Sequence, residues 1–277
     1  MKKLVALFCV VYALSACSIV PLTGRSQLVI FTTQDLMPLV NDEYNESLTD
    51  SKVLTSTKEG QEIVKVGNKM AEVVEAYLIE QSYDSLVNEL DWEFNLLENE
   101  EINAWCMPGG KVAFYTGILP FTRDETGIAV IMGHEIAHAV AGHANERMSQ
   151  ELLFELGVTT VDIAIGENPT LTQELLLQAV GVGSELQILG FSRKHELEAD
   201  RMGLIFMAMA GYDPREAPAF WERMAEDSEE EEFEFLSTHP GPSRRIERLN
   251  SLLPEAIAIY EQSKGSIGLS AFSLRTK

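Results

Sequence analysis

The chain has 277 residues, 45 % of them hydrophobic and 23 % charged, enough for one large domain with a proper core or for two small ones. Its 43 acidic residues against 21 basic ones give a formal net charge of -22. That excludes a nucleic-acid binder, since phosphate would be repelled, and electrostatic docking on anionic lipid, so any membrane attachment must be hydrophobic or covalent.

The N-terminus reads as such an attachment. Lys2 and Lys3 form a basic start, and Leu4 to Leu14 is an apolar run too short to span a bilayer. It ends in Leu14-Ser15-Ala16-Cys17, which resembles the lipobox of bacterial lipoproteins. The resemblance implies a signal peptide over 1–16, cleavage before Cys17, and lipid on that cysteine; several acyl chains anchor stably where one does not. Ser18 after the cysteine resembles the outer-membrane sorting pattern of Gram-negative lipoproteins, facing the periplasm. Cys9 would leave with the signal, so Cys106 remains as a lone thiol and no internal disulfide is expected. Residues 17–58, mixed and rich in Ser, Thr and Asn, read as the lipidated N-terminus and a loosely patterned spacer. The catalytic domain is expected over 59–277.

An apolar stripe at Ile63, Val66, Met70, Val73, Val74, Tyr77 and Leu78 predicts a helix over 60–83. Trp92, Phe94 and Leu96 alternate as in a strand. Ile102 to Met107 and Lys111 to Tyr115 flank Pro108-Gly109-Gly110, a turn signal that predicts a hairpin. Thr122 with Glu125 fits a capping box, opening a helix that runs to about Gly142 or beyond. Over 149–190 the acids Glu155, Asp162, Glu174 and Glu185 interrupt the apolar pattern, so packed helices are expected there, with glycines at 181, 183 and 190 suiting a movable cover. An amphipathic helix over 192–210, a helix after Pro214 with Phe220, Trp221 and Met224 inward, an acidic solvated loop at 228–232 and a basic helix from Pro242 to Leu253 complete the series, with a short helix and a frayed tail from Pro254. The fold class is therefore mainly α with a small β-sheet.

The chemistry centres on His134-Glu135-Ile136-Ala137-His138 inside the apolar helix. Residues four apart on a helix lie about 40° apart around its axis, so both imidazoles share a face with Glu135 beside them. A zinc ion takes such a pair, and the carboxylate serves as general base. Three polar groups in an apolar helix would be costly unless they served a common partner. A catalytic zinc needs a third protein ligand. His143 misses the register by one residue and, on a continued helix, would point about 140° away from His138, which leaves it a helix-end histidine. Glu196 and Asp200, four apart on a second helix, fit better: Glu196 as ligand, Asp200 accepting a hydrogen bond from a ligand imidazole. Glu198 falls about 200° from Glu196 and is expected to face away. One Zn2+ per chain follows. The same donor set also occurs at non-haem iron, but the helical spacing with Glu135 favours zinc.

These motifs, with Ser192-Arg193 before Glu196 and Gly203 after Asp200, resemble the HtpX and CAAX-prenyl-protease family of gluzincin metallopeptidases. From about 60 to 253 the chain resembles its periplasmic lipoprotein branch, the LoiP- and BepA-like proteases. Asn103-Ala104, Pro108-Gly109-Gly110, Tyr115-Thr116-Gly117, Asn145-Glu146-Arg147, Thr238-His239-Pro240 and Arg244-Arg245-Ile246 match in order. The resemblance implies a gluzincin-type domain with the zinc helix beneath a substrate-binding edge strand. Asn103 and Ala104 would hold the main chain of an extended peptide. His239 would help stabilise the oxyanion, or sit on zinc as a fourth ligand in a latent form. It further implies an endopeptidase using a zinc-activated water on misfolded or misassembled envelope polypeptides, with the outer-membrane assembly machinery as a further partner. The alternative is a chaperone or assembly factor that seldom cleaves. No helical-repeat docking module is read before Lys277, which favours the peptidase.

Overall fold

Ile63, Val66, Met70, Val74, Tyr77 and Leu78 are all buried along one helix, and a three-stranded sheet lies against it. The structure, a computed structural model, describes residues 17–156, 193–227 and 242–265. Within them the order is β1 (Cys17–Ile19), β2 (Ser26–Leu28), α1 (Thr33–Asp50), α2 (Lys58–Glu80), α3 (Asp84–Val87), β3 (Glu93–Leu97), β4 (Ala104–Met107) and β5 (Lys111–Tyr115). A 3-10 turn (Thr116–Ile118) leads to α4 (Leu119–Thr122), α5 (Glu125–Ala141), α6 (His143–Leu156), α7 (Arg193–Met209), α8 (Glu216–Asp227) and α9 (Pro242–Gly265). Among the described residues no helix is long and apolar enough to cross a membrane.

The expected hairpin is present: β4 pairs antiparallel with β5 across Pro108-Gly109-Gly110. Strand β3 pairs parallel with β5 from the other side, so β5 is central and β4 is an edge strand packed on α5. Alternate strand residues divide between two cores, because successive side chains point to opposite faces. Phe94, Leu96, Ala104, Cys106, Val112 and Phe114 join the main core under α2 and α5. Leu97, Trp105, Met107 and Ala113 join a second core with Leu36, Val40 and Tyr44 of α1. Covering both faces explains why β4 is buried without alternation.

Residues 18–58 are thus not the loosely patterned spacer expected. They fold into the β1–β2 hairpin and an 18-residue helix whose capping box joins Thr32 and Asp35. The short apolar spacing Leu36, Val40, Tyr44 was the signal, diluted by Pro38 and by polar neighbours. The Tyr44 hydroxyl donates to the Val112 carbonyl at 3.0 Å and accepts from Asn95 Nδ2 at 3.0 Å, and its ring meets Trp105 edge-on at 5.8 Å. Tyr44→Ala is therefore expected to cost about 3–5 kcal/mol, the usual scale for a buried aromatic, as read from urea unfolding. A loss below about 1 kcal/mol would return this segment to a passive tether.

Three other expectations change. Asp124, not Thr122, caps α5, its carboxylate accepting from the Thr126 and Gly127 amides; Thr122 instead ends α4. Helix α7 is buried nearly all round because α2, α5 and α9 pack on it, so it is not amphipathic. Helix α9 runs on through Pro254, carried past the lost hydrogen bond by burial of Ala256, Ile259 and Tyr260. Residues 1–16, 157–192 and 228–241 lie outside the described residues, and with them the signal peptide, most of the apolar 149–190 stretch, the acidic loop and His239.

Candidate metal centre

Helices α5 and α7 cross where Gly133 faces Gly203, with a Cβ on either glycine falling 2.7 Å from backbone of the other helix. Two flat helix surfaces meeting there set the residues after Gly133 against those before Gly203. His134 Nε2 lies 3.0 Å from His138 Nε2. Glu196 spans both imidazoles, Oε2 3.4 Å from His134 Nε2 and Oε1 3.5 Å from His138 Nε2. Donor atoms bound tetrahedrally at 2.0–2.1 Å stand about 3.3 Å apart, so these spacings fit a zinc-sized ion. All three residues are buried, and among the described residues they form the one such group of potential metal ligands.

Glu135 sits beside them, 2 % exposed, and its Oε1 has no hydrogen-bond partner among the described residues. Burial raises its carboxyl most, the His134 charge lowers it, Glu196 raises it and Arg245 lowers it; the net result is about 8. Burial and Arg245 lower the His134 imidazole, but Asp200 and Glu196 overcome them and bring it to about 9. A metal must displace that proton, so binding is proton-coupled.

The outer faces of the two imidazoles are held differently. His134 Nδ1 lies 3.2 Å from Asp200 Oδ1. Asp200 in turn receives both Arg245 Nε at 2.8 Å and Arg245 Nη2 at 2.5 Å, and the guanidinium stacks 3.5 Å from the centroid of Trp221. Burial pushes the Asp200 carboxyl up, but the Arg245 charge outweighs it and the group stays below its ordinary range. Arg245 was missed as a site residue, although it stood within the matched Arg244-Arg245-Ile246; a lone motif match does not reveal which arginine turns inward.

His143 departs from expectation. The helix does not continue past Ala141; Gly142, at φ 65°, turns the chain. The 140° argument fails there, and His143 swings back until its Nδ1 is 2.8 Å from His138 Nδ1. Its Nε2 lies 3.1 Å from Glu198 Oε2. Glu198 does face away from the metal ligands, but into a buried network and not into solvent. There Arg25 Nε donates to Glu198 at 2.6 Å and Arg25 Nη2 meets Glu146 at 2.8 Å, while Glu146 also holds His195 Nε2 at 2.8 Å.

Burial pushes Glu146 and Glu198 up, but hydrogen bonds from His195 and Arg25, and from His143, Thr23 and Arg25, hold each at about 2. A carboxyl depressed in the folded state stabilises above its ordinary pKa near 4.5 and loses that contribution as pH falls toward 2. On the order of 3 kcal/mol is at stake for Glu146 at roughly 1.4 kcal/mol per unit. The gap in unfolding free energy between wild type and Glu146→Gln should shrink steadily from pH 5 to pH 2. A constant gap would mean that Glu146 is not charged and paired as described.

Asn103 and Ala104 stand at the start of edge strand β4. Tyr115 N donates to the Asn103 carbonyl at 3.0 Å, so that carbonyl points to β5. Across the planar trans peptide the Ala104 N–H points the opposite way, to the outer side of the edge, where Asn103 Oδ1 accepts it at 2.9 Å. Cys106, on the same strand, is buried; burial and the nearby Glu135 charge raise its thiol well above the ordinary range.

Comparison with known proteins agrees with this geometry. The model of Peptidase family M48 matches residues 66–253, and the chain belongs to that family of metallopeptidases. The mitochondrial metalloendopeptidase OMA1 of Saccharomyces cerevisiae is 36 % identical over 212 residues, covering 72 % of this chain and 58 % of the relative. Human metalloendopeptidase OMA1 is 32 % identical over 262 residues, covering 91 % and 49 %. The beta-barrel assembly-enhancing protease of Yersinia pestis is 25 % identical over 254 residues, covering 85 % and 51 %. The chain spans about half the length of these curated relatives.

Proposed function

We propose that the chain is a zinc-dependent endopeptidase that cleaves unfolded or misassembled polypeptides of a bacterial envelope. The observation that carries the reading is the triangle of His134, His138 and Glu196 at 3.0–3.5 Å, with the carboxylate of Glu135 buried beside it. His134, His138 and Glu196 would hold a zinc ion, which would supply Lewis acidity for water and a peptide carbonyl. Glu135 Oε1 takes the proton of the attacking water and returns it to the leaving amine. Asp200, fixed by Arg245, accepts from His134 Nδ1 and so orients the imidazole with Nε2 toward His138 and Glu196. An extended peptide adds to the outer edge of β4, where its carbonyl replaces Asn103 Oδ1 on the Ala104 N–H and the freed carboxamide of Asn103 turns to the substrate main chain. His239 is assigned to the oxyanion on motif resemblance alone.

The envelope assignment rests on the Leu14-Ser15-Ala16-Cys17 pattern, which would tether the domain to the outer membrane by lipid on Cys17, and on the similarity to beta-barrel assembly-enhancing proteases. The relatives named as mitochondrial metalloendopeptidases support the endopeptidase reading and leave the compartment to that pattern. Purified protein should hold one zinc ion, cleave unfolded casein, lose cleavage on chelation and regain it with zinc. Glu196→Ala should lower zinc affinity by at least a hundredfold. Casein binding with no zinc-dependent cleavage would favour a chaperone instead, and unchanged zinc affinity in Glu196→Ala would remove the third ligand.

A further inference from the structure

We infer that His143, Glu198 and Arg25 act as positioning residues for the metal ligand His138, which makes the N-terminal β1–β2 hairpin a working part of the metal centre. The inference rests on the metal reading above and concerns what holds the ligand from behind. His138 turns Nε2 toward His134 and Glu196, leaving Nδ1 as its outer nitrogen. That nitrogen meets His143 Nδ1 at 2.8 Å. Two imidazole nitrogens at that distance share one proton, with one as donor and the other as acceptor. A metal on Nε2 requires the His138 proton on Nδ1, so His143 Nδ1 accepts it. The proton of His143 then sits on Nε2, where Glu198 Oε2 accepts it at 3.1 Å. One choice of tautomer satisfies both rings, and it is the one that presents the His138 lone pair to the ion.

The far end of this relay belongs to the hairpin. Arg25 Nε donates to Glu198 Oε2 at 2.6 Å, and Thr23 Oγ1 donates to Glu198 Oε1. Gln27 Nε2 donates to the Ala141 carbonyl at 2.8 Å, docking β2 on the end of α5 less than a turn beyond His138. Nothing in the relay is loose: His143 is fully buried, Glu198 is 8 % exposed, and His195 stacks on His143 at 4.4 Å. The two ligand histidines are thus both oriented by carboxylates of α7, His134 directly by Asp200 and His138 through His143 by Glu198. Metal-ligating histidines depend on such outer partners, whose loss typically weakens metal binding by about 10–100-fold.

Zinc affinity, by competition with a chromophoric chelator, and the visible spectrum of the cobalt-loaded protein test this. His143→Leu removes the acceptor and should weaken zinc by about 10–100-fold, with an altered cobalt spectrum. His143→Gln keeps an acceptor and a donor on one planar group and should recover most of the affinity, which mere filling of space would not achieve. Arg25→Met, at the edge of the network, should weaken zinc several-fold and decides the matter if His143→Leu does not fold. Wild-type affinity in His143→Leu or in Arg25→Met, or no recovery in His143→Gln, overturns the relay. A wild-type protein that binds no zinc overturns the metal assignment and the relay together.

Discussion

Glu135→Gln is expected to abolish casein cleavage, by on the order of 10²–10⁴-fold or more, while zinc affinity stays within a few-fold of wild type. The substitution keeps the volume and replaces a proton acceptor by an amide. Nothing else should shift, because Glu135 Oε1 has no hydrogen-bond partner among the described residues, and the ligand atoms belong to His134, His138 and Glu196. A buried polar oxygen without a partner costs roughly 1–3 kcal/mol. That cost makes sense where a water and a peptide nitrogen arrive to be served. The measurement is initial-rate cleavage with zinc occupancy read on the same preparation. Cleavage within tenfold of wild type at full occupancy would remove Glu135 as the base and, with it, the gluzincin mechanism.

The parts legible in the sequence were those with a local signature. The spacing of His134 and His138, the Pro108-Gly109-Gly110 turn and the Glu196-to-Asp200 interval each follow from a helix or turn period. What was not legible depends on where the chain goes after a break. His143 was dismissed on the geometry of a helix that ends one residue earlier, so the αL turn at Gly142 reverses the conclusion. Glu198 was correctly turned from the metal, but period alone cannot say whether a turned-away carboxylate meets water or Arg25. Arg25 stands 121 residues from Glu146 and 173 from Glu198, in a stretch with no helical or strand period of any length. Tertiary partners at such separation leave no trace in one sequence. Helix α1 was misread for a milder reason: three buried residues spaced by four were outnumbered by exposed polar ones.

Gly203→Ala should leave the protein folded and nearly inactive, because one methyl group separates the two helices that carry the site. A Cβ at position 203 would fall 2.7 Å from the Gly133 carbonyl carbon and 2.7 Å from the His134 amide nitrogen, both backbone and unable to step aside. Overpacking of this kind costs typically about 1–3 kcal/mol, which a chain of this size survives. Relief comes only if α7 slides or tilts away from α5, and His134 is attached to the very amide that is struck. The displacement therefore opens the gaps that join His134 to Glu196 and to Asp200, now 3.4 Å and 3.2 Å. Misplacement of about 1 Å at a reacting centre can cost 10²-fold. We expect cleavage to fall by about that factor and zinc affinity with it, while the circular dichroism spectrum and the affinity for unfolded casein stay near wild type. Adding Gly133→Ala should deepen the loss more than additively, since both methyl groups enter the same gap. Full activity in Gly203→Ala would mean that the helices have slack at the crossing, and the tight Gly133–Gly203 approach would then not be what brings the ligands together.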